Sequence, residues 1–79
     1  MYELRPEYGP AKPAPNGAAR RGPIIKWHIA EVEAGQCLCG KALPRAGARD
    51  FADWDDPQLG PRCLLCPVVA AEREARPLQ

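Results

Sequence analysis

Residues 24–32 read Ile24-Ile25-Lys26-Trp27-His28-Ile29-Ala30-Glu31-Val32. Ile25, Trp27 and Ile29 alternate with Lys26, His28 and Ala30. A period of two in β-branched and aromatic residues predicts a strand. Glu33, Ala34, Gly35 and Gln36 follow, with the length and the glycine of a hairpin turn. Residues 37–43 then return as a second strand, and Gly40 permits a tight turn just past Cys39. A register that pairs Val32 with Cys37 sets Ala30 against Cys39. His28 then lies one diagonal step away on the same face, about 7–8 Å at Cα. The long imidazole closes that gap onto a metal ion shared with Cys39.

The other half of a metal site stands further along, in Cys63-Leu64-Leu65-Cys66. Two intervening residues let a turn aim both sulfurs at one point, and zinc takes Cys thiolates and His nitrogens in tetrahedral geometry. A helix is expected to start there and to set its positive end toward the thiolates. Residues 66–76 read CPVVAAEREAR, with Pro67 suited to the first helical position and three alanines as strong helix formers. Leu64, Val68, Ala71 and Ala75 fall on one face at the spacing of an amphipathic helix. Glu72 and Arg76 are placed to pair at i, i+4, and Pro77 ends the helix. The expected ligand set is His28, Cys39, Cys63 and Cys66 around one Zn²⁺ per chain. Cys37 is the alternative to His28, in an all-cysteine set with Cys39. That second choice suffers because alternate residues of a strand diverge.

The need for a metal follows from size. Seventy-nine residues make at most one domain. So short a chain buries little apolar surface against its conformational entropy, so small scaffolds tend to use a staple. The four cysteines, Cys37, Cys39, Cys63 and Cys66, offer either disulfides or metal ligands. The opening MYELRPEYGP has no apolar signal-peptide core, and no apolar run approaches the ~20 residues of a membrane span. A cytoplasmic location and no membrane association are therefore expected, and in that compartment cysteine clusters more often hold metal.

Residues 1–23 carry five of the ten prolines and few large apolar side chains after Leu4. They are read as a disordered, proline-rich arm. The zinc-binding domain is expected over residues 24–76, with 77–79 as a tail. Residues 44–62 are broken by Pro44, Gly47, Pro57, Gly60 and Pro61 and predict a long loop with one short helical turn. Phe51 and Trp54 are placed to fold back onto the hairpin. The predicted fold is thus a small zinc-stabilised α+β domain, a β-hairpin plus a C-terminal helix.

The order His28, then Cys39-Gly40, then Cys63-x-x-Cys66 resembles the short His-Cys-Cys-Cys zinc-finger proteins of high-GC actinobacteria and their phages. The likeness covers about residues 24–70, and a composition rich in Ala, Arg, Pro and Gly suits such a source. It implies a treble-clef-like or zinc-ribbon-like shape and no particular activity. The extra Cys37 departs from the pattern.

Charge separates the function classes. The net charge is +1, with an excess of basic residues before position 50 and of acidic residues after it. Zinc on three thiolates brings the sum near zero. A closed site of three cysteines and one histidine leaves no position for water or substrate, so a structural metal, no catalytic residues and no small-molecule substrate are expected. The favoured role is a binding module with a protein partner, in transcription or regulation, with Trp27 and Trp54 as anchors. The alternative is a nucleic-acid-binding finger that uses Arg20, Arg21, Lys26, Lys41 and Arg45 on phosphates. An enzyme reading fails on spacing. Zinc deaminases use H-x-E with P-C-x-x-C, whereas this chain has His28-x-x-Glu31 and an Arg between Pro61 and Cys63.

Overall fold

The computed structural model describes residues 1–10, 12–13, 19–20 and 22–75. Its architecture is a small α+β arrangement. Strand β1 (Tyr2–Tyr8) lies between β4 (Ile24–Glu31) and β5 (Arg49–Asp50) in a three-stranded antiparallel sheet. Strands β2 (Lys12–Pro13) and β3 (Ala19–Arg20) form a separate two-stranded ribbon. A 3₁₀ turn (Phe51–Asp55) follows β5, and helix α1 (Leu65–Ala75) closes the described chain.

The first correction concerns the N-terminus. Residues 2–8, read from sequence as part of a disordered arm, form the central strand. Its register sets Leu4 against Ile29, Arg5 against His28 and Glu7 against Lys26, with a bulge between Glu7 and Tyr8. The strand forms despite Pro6 because Tyr2, Leu4, Pro6 and Tyr8 alternate with Glu3, Arg5 and Glu7. That period of two matches the pleat. Leu4 is wholly buried beside Ile29 and Trp27, and burial of one such leucine is worth about 1.5–3 kcal/mol. Of the rest of the expected arm, residues 11, 14–18 and 21 lie outside the described residues, as do 76–79.

The second correction concerns the hairpin. The strand at 24–31 is present, but its ladder partner is β1 and not residues 37–43. The return segment touches β4 through a single bridge, Ala30 opposite Cys37, two residues from the expected register. Arg5 explains how that segment is held. Its buried guanidinium donates to the carbonyls of Ala34 (2.6 Å), Leu43 (3.1 Å), Glu31 (3.0 Å) and Val32 (3.1 Å), and its Nε to Glu3 (2.9 Å). Five fixed donors suit such a task, and the Glu31 carbonyl also accepts from the Ala34 N–H at 3.0 Å.

The expected helix is present and begins one residue early, at Leu65. Pro67 sits in its first turn, where a missing N–H breaks no helical hydrogen bond. Its apolar stripe does not face the sheet. Cys66 and Ala70 are the buried helix residues, whereas Leu64, Val68, Ala71 and Ala75 are exposed. Arg73 ties the helix to the sheet through Glu31 at 3.2 Å.

The short helical turn expected in the long loop is the 3₁₀ element. Asp50 caps it by accepting from the Ala52 N–H at 2.8 Å. Phe51 packs edge-on against Tyr2 of β1, with ring centroids 5.5 Å apart, and Trp54 packs against the core under the Arg62 guanidinium.

Candidate metal centre

Strand β4 positions the site through its free edge. Along an antiparallel strand, successive backbone groups point to opposite sides. His28 is paired to β1, so the backbone groups of Trp27 and Ile29 point the other way. Two incoming segments dock there. The Trp27 N–H donates to the Pro61 carbonyl (2.9 Å), and the Cys63 N–H donates to the Trp27 carbonyl (2.8 Å). One step on, the Leu38 N–H donates to the Ile29 carbonyl (2.8 Å). Cys63 and Cys39 therefore arrive on either side of His28. A tight turn presents Cys39: the Cys37 N–H bonds the Lys41 carbonyl and the Gly40 N–H bonds the Cys37 carbonyl, each at 2.8 Å. Gly40 has φ +95°, which favours glycine.

The result is a group of four ligand atoms from His28, Cys39, Cys63 and Cys66, all within 4.8 Å of one another. The His28 Nδ1 lies 3.3 Å from the Cys39 Sγ and 3.8 Å from the Cys66 Sγ. Zinc bonds of about 2.3 Å to sulfur and about 2.0 Å to nitrogen place tetrahedral ligand atoms roughly 3.5–3.8 Å apart. The donor set and its spacing thus fit a metal ion. His28, Cys63 and Cys66 are buried and Cys39 is half-buried. Cys37 is buried but stands outside this group, against Ala30.

The thiols differ in their protonation. Burial raises Cys63, but N–H groups of Cys66 and Leu65 at the helix start outweigh it and hold the thiol below its usual range. Burial pushes Cys66 up to about 12 and Cys37 up to about 11. All four cysteines are unbridged.

Sequence reading missed the carboxylate behind the histidine. Glu7 on β1 lies 2.6 Å from the His28 Nε2 and is itself buried. With Nδ1 turned to the sulfurs, Nε2–H donates to Glu7, which fixes the tautomer a metal needs. Lys41 holds the other Glu7 oxygen at 2.8 Å. The Lys41 hydrogen bond, then that of His28, keeps the Glu7 carboxyl below the ordinary carboxylate range. The signal for Glu7 was the alternation in residues 2–8, masked by a proline content read as disorder.

The residues of the alternative nucleic-acid reading are scattered in fate. Lys41 is engaged with Glu7, and Arg45 donates to Glu3 at 3.0 Å. Lys26 is half-buried on β4, Arg20 lies in β3, and Arg21 is outside the described residues. Of the expected aromatic anchors, Trp27 is only 5% exposed, and Trp54 is half-buried with the Arg62 guanidinium over its ring. No helix among the described residues is long and apolar enough to cross a membrane.

The fold and site define a small domain with a His-Cys₃ group able to hold a metal ion. Compared with protein-family models, curated proteins and solved structures, the chain matches none.

Proposed function

We propose that this chain is a small structural-zinc module that works by binding another protein, in a regulatory or transcription-associated setting. The observation that carries the reading is the largely buried His-Cys₃ group, whose four donors lie within 4.8 Å of one another, the number a tetrahedral zinc shell takes. A shell filled by protein leaves no open position for substrate, which argues for a structural metal and against catalysis. A turn with Cys39 and a Cys-x-x-Cys at a helix start support a treble-clef-like site.

A protein partner is favoured over nucleic acid because two of the candidate phosphate-binding cations, Lys41 and Arg45, are already spent on Glu7 and Glu3. Few phosphates can then be neutralised, and counterion release contributes little affinity.

The metal part is tested by zinc analysis and chelation. The protein is expected to carry about one zinc per chain and to unfold when the ion is removed. Cys39→Ser, Cys63→Ser, Cys66→Ser and His28→Ala should each lose zinc, whereas Cys37→Ala should keep it. A metal-free sample that retains a cooperative thermal transition overturns the structural role. The partner part is tested by a salt series with duplex DNA and single-stranded RNA. Tight binding at low salt that collapses as salt rises would replace the protein partner with nucleic acid.

A further inference from the structure

Val68, Ala71 and Ala75 lie within about 60° of arc on the outer side of the helix, and Leu64, the residue just before its first turn, extends this stripe to about 16 Å. Leu64 is 87% exposed and Val68 50%, and both alanines are exposed. Leu65 beside them is also about half exposed. No charged residue interrupts the stripe, and the core has no use for it, because the helix packs on the sheet through Cys66 and Ala70.

We propose that this stripe is a self-association surface, on which a second copy of the chain docks about a two-fold axis with its helix antiparallel to the first. The order of side-chain sizes selects this occupant. Along the helix the stripe reads large, large, small, small. In antiparallel register Leu64 meets Ala75 of the second copy and Val68 meets its Ala71, so each large side chain fills the space over a small one. A parallel pair would instead stack Leu64 on Leu64 and leave a gap at the alanines.

Charge selects the same arrangement. Glu72 and Glu74 lie in the C-terminal half of the helix, the Arg73 between them turns to the sheet and pairs with Glu31, and the N-terminal half from Leu65 to Val69 carries no charge. Parallel docking would set like charges against each other. Antiparallel docking sets both glutamates over the uncharged N-terminal half of the second helix, and it opposes the two helix dipoles favourably. A two-fold contact is self-complementary and closes on itself, so the product is a dimer and not a fibre. One short helix per copy buries less than a standard interface, so the association is weak, with a dissociation constant on the order of 100 μM.

The test is sedimentation of the full, zinc-loaded chain under reducing conditions, from about 10 μM to about 1 mM. The mass should rise from the 8.6 kDa monomer toward twice that value. Val68→Glu and Ala71→Lys, each alone, should weaken self-association about tenfold or more, because each buries an unpaired charge. Mixing the two variants should restore dimers, since position 68 of one then faces position 71 of the other. A chain that stays monomeric at 1 mM overturns the proposal, and so does a mixture that restores nothing. Amide NMR shifts of the unmodified chain against concentration need no variant. Changes should concentrate over residues 64–75, and changes centred elsewhere reject this surface.

Discussion

Strand β1 and helix α1 are opposites. β1 looks like the start of a proline-rich tail, yet its residues 3–7 are buried on both faces of the sheet. α1 looks like a core helix, yet it turns its apolar stripe to solvent and buries only Cys66 and Ala70. The difference teaches that the placement of Cys66, not the apolar pattern, goes with the orientation of the helix. Cys66 is buried beside His28, Cys39 and Cys63, and the apolar stripe lies on the other side. β1 is then needed to pair with β4 and to supply Glu7 and Arg5, tasks the helix cannot perform from where it sits.

The sharpest way to break this comparison is to remove each region's contribution in turn. Deleting residues 1–8 should abolish cooperative folding, because β4 loses its ladder partner and the turn at 31–34 loses Arg5; circular dichroism with a thermal scan checks it. A truncated chain that melts like the full one would restore the disordered-arm reading.

Arg5→Met comes next. It removes a buried charge that serves four carbonyls and Glu3, leaving Glu3 with Arg45 alone. Breaking a buried pair from one side costs about 3–5 kcal/mol, measured by urea unfolding. A loss well under 1 kcal/mol would show that the carbonyls find water instead.

Glu7→Gln should keep the fold and weaken metal binding about 10–100-fold, as loss of the carboxylate behind a ligating histidine typically does. Competition with a zinc chelator reads this directly. An unchanged affinity would mean that Glu7 serves Lys41 and not His28.

Acid gives a smaller effect. Glu3 is held below its ordinary 4.5 mainly by its hydrogen bond to Arg45, then by Arg5, against the cost of burial. A lowered carboxylate contributes stability that is present above its unfolded value and is lost as pH falls through the folded one. The melting-temperature gap between the natural chain and Glu3→Gln should therefore be widest near pH 6 and shrink toward pH 3. A gap that does not change with pH would assign the effect of Glu3 to packing.

The smallest effect belongs to the helix stripe. Val68→Ser at low protein concentration should shift stability by no more than about 0.5 kcal/mol, as exposed positions do. A loss above 1 kcal/mol would place Val68 in the monomer's own core.

The chain's sequence by itself singled out His28, Cys39, Cys63 and Cys66 as a candidate ligand group, and the fold brings these four together. It also determined the strand at 24–31, the helix after Cys63 and the short helical turn near Phe51. Each rests on a local signal: ligand chemistry at fixed spacing, a period of two, or helix propensity at a proline. Tertiary structure alone decided the strand partners. Ladder pairing joins residues sixteen or more positions apart, and Pro6 together with the polar face of β1 hid a strand whose Glu3, Arg5 and Glu7 find partners only once folded. It also decided which side of α1 is inside. Two faces of that helix compete, one apolar and one bearing Cys66, and the face that brings Cys66 within 4.8 Å of the donor atoms of His28, Cys39 and Cys63 is the one inside.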